Sequence, residues 1–458
     1  MINPQIFRQY DIRGEAERDL TDSTVELLGK AFGTYVRRSG SDQVVVGMDN
    51  RLSSERLNKA LISGLRSSGC DVIDIGLVVT PMLYYAREFF GIDGAVMITG
   101  SHNPPEDNGF KIALGNSTIY GSDIGKLRTM MEEKDFLTGN GALAQKDGVT
   151  PYLFMLTEKI KLSPNNLKVV VDCGNGTGSL FAERILHNWG CEVLPLYCVS
   201  DGSFPNHEPD PVKTANLAEL RKTVVEKGFD LGLAFDGDAD RIGVIDEKGG
   251  VIWGDMLMCL YWREIMVKYP GSEAIIEIKC SQALVDEVER LGGKPFFYKT
   301  GHSLIKAKMK EINAVFTGEM SGHIFFADEY YGFDDAFYAA GRLLRLFSQQ
   351  KGKMSEMLAD LPKYYSTAET RVPCSDEDKF SIVQGLVEHF KKLYDVVDVD
   401  GVRVLFGDGW GLVRASNTQP VLVSRCESKT QEGLQKICDT MKEALKGFPK
   451  VGDFDWEY

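Results

Sequence analysis

One sequence pattern recurs three times in this chain: an apolar strand, a polar or glycine-rich turn, an amphipathic helix, a glycine and a second strand. The three copies begin at Val44, Val169 and Ala274. Each copy reads as a βαβ unit, whose crossover connection favours a parallel sheet covered by helices. Their wide spacing along the chain predicts three similar α/β domains instead of a solenoid of short repeats.

The pattern changes after about residue 360. Short strands joined by turns such as Gly407-Asp408-Gly409 predict a smaller α+β domain with an antiparallel sheet. A chain of 458 residues also needs more than one hydrophobic core. The predicted strands of this last domain span 367–372, 396–406, 411–414 and 421–426, and its predicted helices span 376–393 and 430–445. The predicted domains are 1–147, 148–250, 251–361 and 362–458.

The charge balance restricts the partners. Lys and Arg total 52 against 66 Asp and Glu, a net charge of -14, so we expect no nucleic-acid or membrane partner. The nine cysteines form no CxxC pair, which suits reduced thiols in a reducing compartment. The first residues lack the pattern of a targeting segment, and no apolar run is long enough to cross a bilayer. We therefore expect a cytoplasmic protein.

Three aspartates, Asp236, Asp238 and Asp240, follow an apolar run at a spacing of two, with Arg241 directly behind them. Carboxylates crowded at the end of a buried strand repel one another unless a cation lies between them, so the loop points to a hard divalent metal. A calcium loop of the EF-hand type fits poorly, because its sixth position needs glycine and holds Arg241, and because the flanks read as strands. A solvated acidic turn is the remaining alternative.

Three further loops carry groups that bind sugars or phosphates. Ser101 follows a buried strand, so it should project at the edge where α/β sheets bind ligands. Glu319 and Ser321 lie in a glycine-rich loop and could bind sugar hydroxyls. The segment 414–420 offers a guanidinium, two hydroxyls and an amide, which suit a phosphate. Each loop taken alone is also explained by an ordinary polar turn.

Taken together, these motifs resemble those of the α-D-phosphohexomutase superfamily, and most closely its bacterial phosphomannomutase/phosphoglucomutase branch. The resemblance covers nearly the whole chain. It implies three similar mixed-sheet α/β domains plus a C-terminal α+β domain with an antiparallel sheet, arranged around a central cleft. The motifs, in family order, are FRQYDIRG at 7, TGSHNPP at 99, DGDADR at 236, GEMSGH at 318 and RASNTQP at 414.

The resemblance implies reversible phosphoryl transfer between C1 and C6 of mannose and glucose phosphates, through a phosphoserine and a 1,6-bisphosphate. It also implies Mg²⁺ as cofactor, glucose 1,6-bisphosphate as activator, hexose phosphates as partners, and a monomer or weak dimer. Met320 favours this branch, because glucosamine-phosphate mutases tend to have Gln at that position. A phosphoglucosamine mutase is the alternative within the superfamily. A serine-dependent phosphomonoester hydrolase and a non-catalytic sugar-phosphate binding protein are the alternatives outside it.

The resemblance assigns roles residue by residue. Proton transfer to and from the sugar hydroxyl could fall to Lys111, His302 or His323, and we favour Lys111. The implied metal ligands are Ser101 as phosphoserine, Asp236, Asp238 and Asp240. The implied catalytic residues are Arg13, Ser101, His102, Lys111, Arg241, His302 and His323. The implied substrate-binding residues are Tyr10, Lys279, Glu319, Ser321, His323, Arg414, Ser416, Asn417 and Thr418.

Overall fold

A computed structural model describes residues 2–115, 117–164, 166–417 and 419–458. The chain divides into two compact units. The first combines Met1–Glu264 with His302–Ala359, and the second combines Ile265–Gly301 with Asp360–Tyr458. The predicted third domain therefore contributes residues to both units, and the predicted boundaries near 148, 250 and 362 stay predictions.

The first sheet belongs to the first unit and has seven strands of mixed direction. Its strands are β1 (Ile12–Glu15), β2 (Gln43–Met48), β3 (Asp71–Leu77), β4 (Gly94–Ile98), β5 (Asp107–Leu114), β6 (Ser117–Thr118) and β7 (Leu143–Gln145). The helices are α1 (Asp22–Arg38), α2 (Ser54–Ser67), α3 (Thr80–Phe90) and α4 (Ser122–Glu133). Strand β2 pairs in parallel with β3 and β4, whereas β5 is antiparallel to β4. The carboxyl ends of β2 and β4 therefore meet at one edge of the sheet.

Helices α1 and α2 cover this sheet and approach each other closely at glycines. A Cβ atom at Gly29 would overlap the carbonyl oxygen of Leu61, and one at Gly64 would overlap that of Glu26. Small residues are therefore required where the two helices cross. The buried side of α1 carries apolar residues at helical spacing, namely Val25, Leu28, Phe32 and Val36.

The second sheet also belongs to the first unit and has five strands in the order β12-β11-β10-β8-β9. Its elements are α5 (Val149–Lys159), β8 (Lys168–Asp172), α6 (Ala182–Asn188), β9 (Glu192–Leu196), α7 (Ala218–Lys227), β10 (Leu231–Phe235), β11 (Ile242–Asp246) and β12 (Val251–Ile252). Strand β8 is parallel to β9 and β10, and β10 is antiparallel to β11. The aspartate loop joins β10 to β11, so the strands predicted on both of its sides are confirmed.

The third copy of the repeat forms the two parallel strands of a βαβ unit, β13 and β14, in the second unit. A short antiparallel pair, β15 and β16, follows in the first unit. The elements of this region are α8 (Gly254–Lys268), β13 (Glu273–Glu277), α9 (Gln282–Arg290), β14 (Lys294–Tyr298), α10 (His302–Ile312), β15 (Phe316–Gly318), β16 (Ile324–Phe326) and α11 (Ala336–Ser348).

The last sheet is antiparallel throughout, as predicted, and runs in the order β17-β22-β21-β20-β19 with β18 beside β22. Its elements are β17 (Tyr365–Ser366), β18 (Thr370–Pro373), α12 (Lys379–Phe390), β19 (Val396–Val397), β20 (Val402–Leu405), β21 (Gly409–Ala415), β22 (Val421–Ser428) and α13 (Gln431–Lys446). The single strand predicted at 396–406 is wrong. It is two strands, β19 and β20, that pair with each other, because Gly401 adopts a φ of 90° and turns the chain between them.

A buried arginine joins the segment 265–301 to this last sheet within the second unit. The Arg403 side chain is fully buried and donates hydrogen bonds of 2.8 Å to the carbonyl oxygens of Ile278 and Cys280. Its guanidinium lies 3.7 Å from the centre of the Trp410 ring, a cation–π contact. These contacts explain why the segment belongs to the second unit.

None of the described helices combines the length and the hydropathy needed to cross a membrane.

Candidate active site

Ser101 lies three residues beyond β4, and its backbone adopts a left-handed conformation with a φ of 50°. Its hydroxyl donates a hydrogen bond of 2.9 Å to Asp236 Oδ2 and lies 3.1 Å from His102 Nδ1. A Cβ atom at Gly237 would overlap the carbonyl oxygen of Ser101, so the aspartate loop can approach only because glycine stands there. The structure thus brings Ser101 and the aspartate loop together.

The three aspartates are fully buried, which rules out the solvated acidic turn. Asp236 Oδ1 accepts hydrogen bonds from the backbone N–H groups of Asp240 and Arg241, at 3.0 and 3.1 Å. Among the described residues, no hydrogen-bond donor reaches Asp238 Oδ1 or Asp240 Oδ1. Each carboxylate offers one oxygen to a set whose members lie within 4.8 Å of one another. Buried carboxylate oxygens at this separation, two of which accept no hydrogen bond from the described residues, fit a hard divalent cation.

Helix α3 holds the aspartate loop from the first sheet. The backbone N–H of Thr80 donates to the carbonyl oxygen of Asp238 at 3.0 Å, and the Thr80 hydroxyl donates to the Asp238 carboxylate. Thr80 is the first residue of α3 and is fully buried. Thr80, which follows β3 of the first sheet, therefore fixes Asp238, a candidate metal ligand that follows β10 of the second sheet.

Lys111, on β5, supplies the countercharge for this loop. Its ammonium donates to Asp238 Oδ2 at 2.6 Å and also to Asp240 Oδ2. Burial alone would lower the pKa of Lys111, but Asp238 and Asp240 outweigh it and hold the pKa well above its ordinary value. Lys111 is therefore a firmly protonated cation in this arrangement. Burial, reinforced by Asp240 and Asp238, raises the pKa of Asp236 well above its usual range.

Beside the aspartates lies a second buried cluster, formed around Asp334. Asp334 accepts a hydrogen bond of 2.8 Å from Lys306 through Oδ1, and its Oδ2 lies 3.0 Å from His323 Nδ1 and 3.6 Å from His302 Nδ1. The two imidazole rings stack with centroids 5.3 Å apart. Burial raises the pKa of Asp334, but Lys306 and the histidines outweigh it and hold the pKa well below its usual range.

The tautomer of His323 follows from its partners. Arg241 Nε donates to His323 Nε2 at 2.9 Å, and a guanidinium can only donate. The Nε2 atom must therefore carry the lone pair, and the ring proton lies on Nδ1, facing Asp334. Although Asp240, His323 and Asp334 together have the spacing of a metal site, this proton on Nδ1 argues against a second metal there.

Three further predicted residues surround Ser101 and the histidines. Arg13 pairs with Asp11 at 2.6 Å and donates at 3.1 Å to Asn103, two residues after Ser101. Burial, followed by the charges of Arg241 and Arg13, lowers the pKa of His102 well below its ordinary value. The ring of Tyr10 meets the ring of His302 edge to face, with centroids 6.0 Å apart. Burial, followed by the charge of Lys306, likewise lowers the pKa of His302.

The loop with Glu319 and Ser321 reaches the strand that follows the aspartates. Gly322 adopts a φ of 92°, and a Cβ atom there would overlap the carbonyl oxygen of Ile242, the first residue of β11. The Gly322 N–H donates to the carbonyl oxygen of Glu319 at 3.0 Å, which closes the turn. Glu319 is buried and Ser321 is half-buried.

The remaining predicted residues belong to the second unit. Lys279 donates to Glu369 at 2.8 Å, and Arg414 donates to Asp400 at 3.0 Å. Burial would raise the pKa of Glu369, but Lys279 outweighs it and lowers the pKa to about 2. In the phosphate-binding segment, Ser416 Oγ accepts from the backbone N–H of Gln419 at 3.1 Å, and Asn417 is half-buried. Thr418 lies outside the described residues.

Sequence reasoning missed Asp334, Lys306 and Asp400. Asp334 precedes Asp335, and an Asp-Asp pair before a helix reads as a cap. Asp335 does cap α11, because its side chain accepts a hydrogen bond from Tyr338 N. Asp334 has no capping role and follows several aromatic residues in the sequence. A carboxylate in such an apolar segment could have indicated a buried functional residue.

Fold and site together define a multidomain α/β protein in which a serine faces a buried carboxylate cluster suited to a divalent metal, the arrangement of a phosphoryl-transfer enzyme. Phosphoglucomutase/phosphomannomutase models match in chain order: α/β/α domain I at residues 4–138, domain II at 150–250, domain III at 253–365, and the C-terminal domain at 369–444. The chain belongs to the phosphoglucomutase/phosphomannomutase family.

Individual relatives agree over the full length. The phosphomannomutase/phosphoglucomutase of Pseudomonas aeruginosa is 43% identical over 442 residues, which are 96% of this chain and 95% of that protein. A phosphoglucomutase of Neisseria gonorrhoeae is 38% identical and covers 98% of each chain. The crystal structure of a phosphoglucomutase/phosphomannomutase family protein from Burkholderia thailandensis is 39% identical, with a TM-score of 0.93 and 100% coverage of both chains.

Proposed function

We propose that this protein reversibly moves a phosphoryl group between C1 and C6 of glucose and mannose phosphates. The observation that carries the proposal is the 2.9 Å hydrogen bond from Ser101 Oγ to the buried carboxylate cluster. Negatively charged carboxylates would repel a phosphoryl group on this serine unless a cation lay between them. The cluster therefore suits a phosphoserine that shares a metal ion with the aspartates. The full-length relatives named phosphomannomutase/phosphoglucomutase support the same reaction.

We propose Mg²⁺ as the metal, held by Asp236, Asp238, Asp240 and an oxygen of phosphorylated Ser101. Asp238 Oδ1 and Asp240 Oδ1, which accept no hydrogen bond from the described residues, support this ligand set. When bound, Mg²⁺ neutralises negative charge on the group being transferred. Glucose 1,6-bisphosphate is the proposed activator, because it can phosphorylate Ser101 before the first turnover.

In the proposed reaction, phosphorylated Ser101 gives its phosphoryl group to the free hydroxyl of a hexose 1- or 6-phosphate. The Oγ–P bond breaks, a sugar O–P bond forms, the hydroxyl proton passes to a base, and Ser101 Oγ takes a proton from an acid; the return transfer reverses these movements. The resulting 1,6-bisphosphate turns end for end, and its other phosphoryl group returns to Ser101. Arg13, His102 and Arg241 are proposed to stabilise and orient the transferring group.

We propose His323, and not Lys111, as the base. Without a metal, the two carboxylates of Asp238 and Asp240 hold the Lys111 ammonium protonated, and a protonated ammonium can donate a proton. His323 keeps its lone pair on Nε2, and Asp334 can stabilise the cation that forms when Nε2 takes the proton. The sugar hydroxyl would replace Arg241 as the donor to Nε2. His302, stacked on His323, is proposed to contact the sugar.

The substrate-binding roles are proposals as well. Glu319 and Ser321 would bind the 3- and 4-hydroxyls, which have the same configuration in glucose and mannose, and Tyr10 would contact the substrate near the serine. Lys279 and Arg414 would bind the phosphate that is not being transferred, together with Ser416, Asn417 and Thr418. In support of this, Lys279 already binds the carboxylate of Glu369 and Arg414 that of Asp400, so both side chains have donors that an anionic phosphate could also use.

Three alternatives make different predictions. A phosphoglucosamine mutase would prefer glucosamine phosphates, and Met320 argues against it. A phosphomonoester hydrolase would release free phosphate and needs no second phosphate-binding segment. A non-catalytic sugar-phosphate binding protein would have a damaged nucleophile or metal loop, whereas Ser101 and all three aspartates are present.

One experiment separates these functions. The protein is incubated with mannose 1-phosphate, Mg²⁺ and a trace of glucose 1,6-bisphosphate, and the products are followed by phosphorus NMR. Mannose 6-phosphate is the expected product, with Ser101→Ala inactive. Free phosphate would instead indicate the hydrolase, and no change would indicate the binding protein. A parallel reaction with glucosamine 1-phosphate that ran faster than the mannose reaction would favour the phosphoglucosamine mutase.

We further propose that the protein acts in the cytoplasm as a monomer or weak dimer, without nucleic-acid or membrane partners. Its net charge of -14 supports the absence of nucleic-acid and anionic-membrane partners. Light scattering at several protein concentrations tests the oligomeric state, and a stable tetramer would contradict the proposal.

A further inference from the structure

A buried arginine that the sequence reasoning did not single out holds the serine loop, which we define as residues 101–107. Arg51 lies three residues beyond β2, and its side chain is fully buried. Its two terminal nitrogens donate four hydrogen bonds, all to backbone carbonyl oxygens of this loop. The acceptors are Ser101 at 2.8 Å, Asn103 at 2.6 Å, Pro104 at 2.5 Å and Asp107 at 2.8 Å.

The guanidinium is itself fixed from three sides. Asp49 Oδ2 lies 3.2 Å from Arg51 Nε and supplies the countercharge, and the same oxygen accepts the Gly100 N–H at 3.2 Å. The ring of Phe204 lies 5.0 Å from the guanidinium carbon. On the remaining side, a Cβ atom at Gly100 would lie 2.5 Å from that carbon, so only glycine leaves room for it.

The serine loop needs such support because the backbone of Ser101 adopts an unfavourable conformation. Ser101 adopts a φ of 50°, a conformation that non-glycine residues rarely occupy. Residues 101–106 have no regular secondary structure, and Pro104 and Pro105 cannot donate backbone hydrogen bonds. The Ser101 carbonyl is one of the four acceptors, so Arg51 acts directly on the residue that carries the nucleophilic hydroxyl.

We propose that Arg51 is a positioning residue for phosphoryl transfer: its four hydrogen bonds hold Ser101 in the left-handed conformation that directs Oγ at Asp236. Arg51 acts through the backbone of Ser101 and contacts neither the sugar nor the metal. The planar guanidinium can bond four carbonyls at once from a fixed plane, whereas a lysine ammonium has three donors at one point. The inference rests on the proposed role of Ser101.

Arg51→Lys therefore keeps the charge and loses the geometry. A displacement of a reacting atom by about 1 Å costs about 100-fold in rate. We expect Arg51→Lys to lower kcat by about 100-fold while leaving KM for glucose 1-phosphate unchanged. The transfer of phosphate from glucose 1,6-bisphosphate to Ser101, followed by intact mass at quenched time points, should slow by the same factor.

The chain offers a matched control in Arg87. This arginine also donates to backbone carbonyl oxygens, those of Asp93 and Gly115. Asp93 precedes β4 and Gly115 follows β5, so Arg87 holds the opposite end of the same two strands. We expect Arg87→Ala to lower the melting temperature and to leave the rate of Ser101 phosphorylation unchanged.

Chemical rescue separates positioning from general destabilisation. Adding guanidinium ion to Arg51→Ala should restore part of the lost rate, and adding urea, a neutral molecule of similar shape, should not. If the Arg51 variants do not fold, Gly100→Ala tests the same hydrogen bonds. Its added Cβ pushes the guanidinium away from the loop carbonyls, while the arginine itself is kept. Slow Ser101 phosphorylation in Gly100→Ala supports the inference, and a wild-type rate overturns it.

Three results would overturn the inference: wild-type phosphorylation of Ser101 in folded Arg51→Lys, an equal loss of rate in Arg87→Ala, or equal rescue by urea and guanidinium. The proposed function fails separately, if the wild-type protein itself never takes a phosphate from the bisphosphate. If the wild-type protein is phosphorylated and the Arg51 variants are phosphorylated at the same rate, only the positioning role is refuted.

Discussion

The aspartate loop and Lys111 should be linked in a way that metal titration can measure. Lys111 is fully buried, lies 2.6 Å from Asp238 and bonds Asp240 as well. Replacing it by the neutral, similarly shaped Met leaves the carboxylates without their nearest cation. Breaking a buried ion pair from one side costs about 3–5 kcal/mol. We expect metal-free Lys111→Met to be less stable than the wild type by this amount.

Mg²⁺ should recover part of this loss, because the variant loop carries more negative charge. A ten-fold tighter metal site corresponds to about 1.4 kcal/mol. Melting temperatures are therefore measured with EDTA and across a Mg²⁺ titration, for the wild type and for Lys111→Met. We expect the difference between the two proteins to narrow by about 1.4 kcal/mol or more at saturating Mg²⁺.

Lys306→Met is the matched control, since Lys306 is also buried but pairs with Asp334, outside the aspartate loop. It should destabilise the protein without tightening Mg²⁺ binding. An unchanged or weaker Mg²⁺ response in Lys111→Met would refute the reasoning that Lys111 balances the charge of the metal ligands.

Two further predictions concern the neighbouring buried aspartates. Asp334→Asn should lower kcat about 100-fold or more, because the base His323 loses the anion that orients its ring and stabilises the cation formed when Nε2 takes the proton; an unchanged kcat would contradict this role. Burial raises the pKa of Asp335 to about 6, despite the hydrogen bonds from Tyr330 and Tyr152. Its contribution to stability is therefore present below about pH 4 and lost as the pH rises through about 6. Asp335→Asn should gain up to roughly 3 kcal/mol relative to the wild type across that window, and a pH-independent difference in melting temperature would contradict this assignment.

Much of the fold follows from local patterns. The βαβ repeat predicted the parallel strands β2, β8 and β13 with their partners, because an apolar strand, a helix and a glycine leave few alternatives. The loop at 236–240 was also identifiable, since three carboxylates at that spacing are costly without a cation.

The missed features depend on contacts between distant parts of the chain. Asp49-Asn50-Arg51 reads as the lead-in to α2, and nothing local indicates that Arg51 reaches a loop fifty residues further on. That contact exists only because β2 and β4 are neighbours in the sheet. The membership of 265–301 in the second unit also involves distant contacts, because Arg403 donates to Ile278 and Cys280, which lie 125 and 123 positions away in sequence.

The central claim is that Ser101 carries the phosphoryl group that is transferred. The most direct test is a single turnover: protein phosphorylated at Ser101 is mixed with mannose 1-phosphate and Mg²⁺, quenched at short times, and both protein mass and sugar products are measured. The account predicts that the protein loses its phosphate as mannose 1,6-bisphosphate appears. Release of inorganic phosphate without bisphosphate, or mannose 6-phosphate that does not carry the phosphoryl group first bound to Ser101, would contradict it.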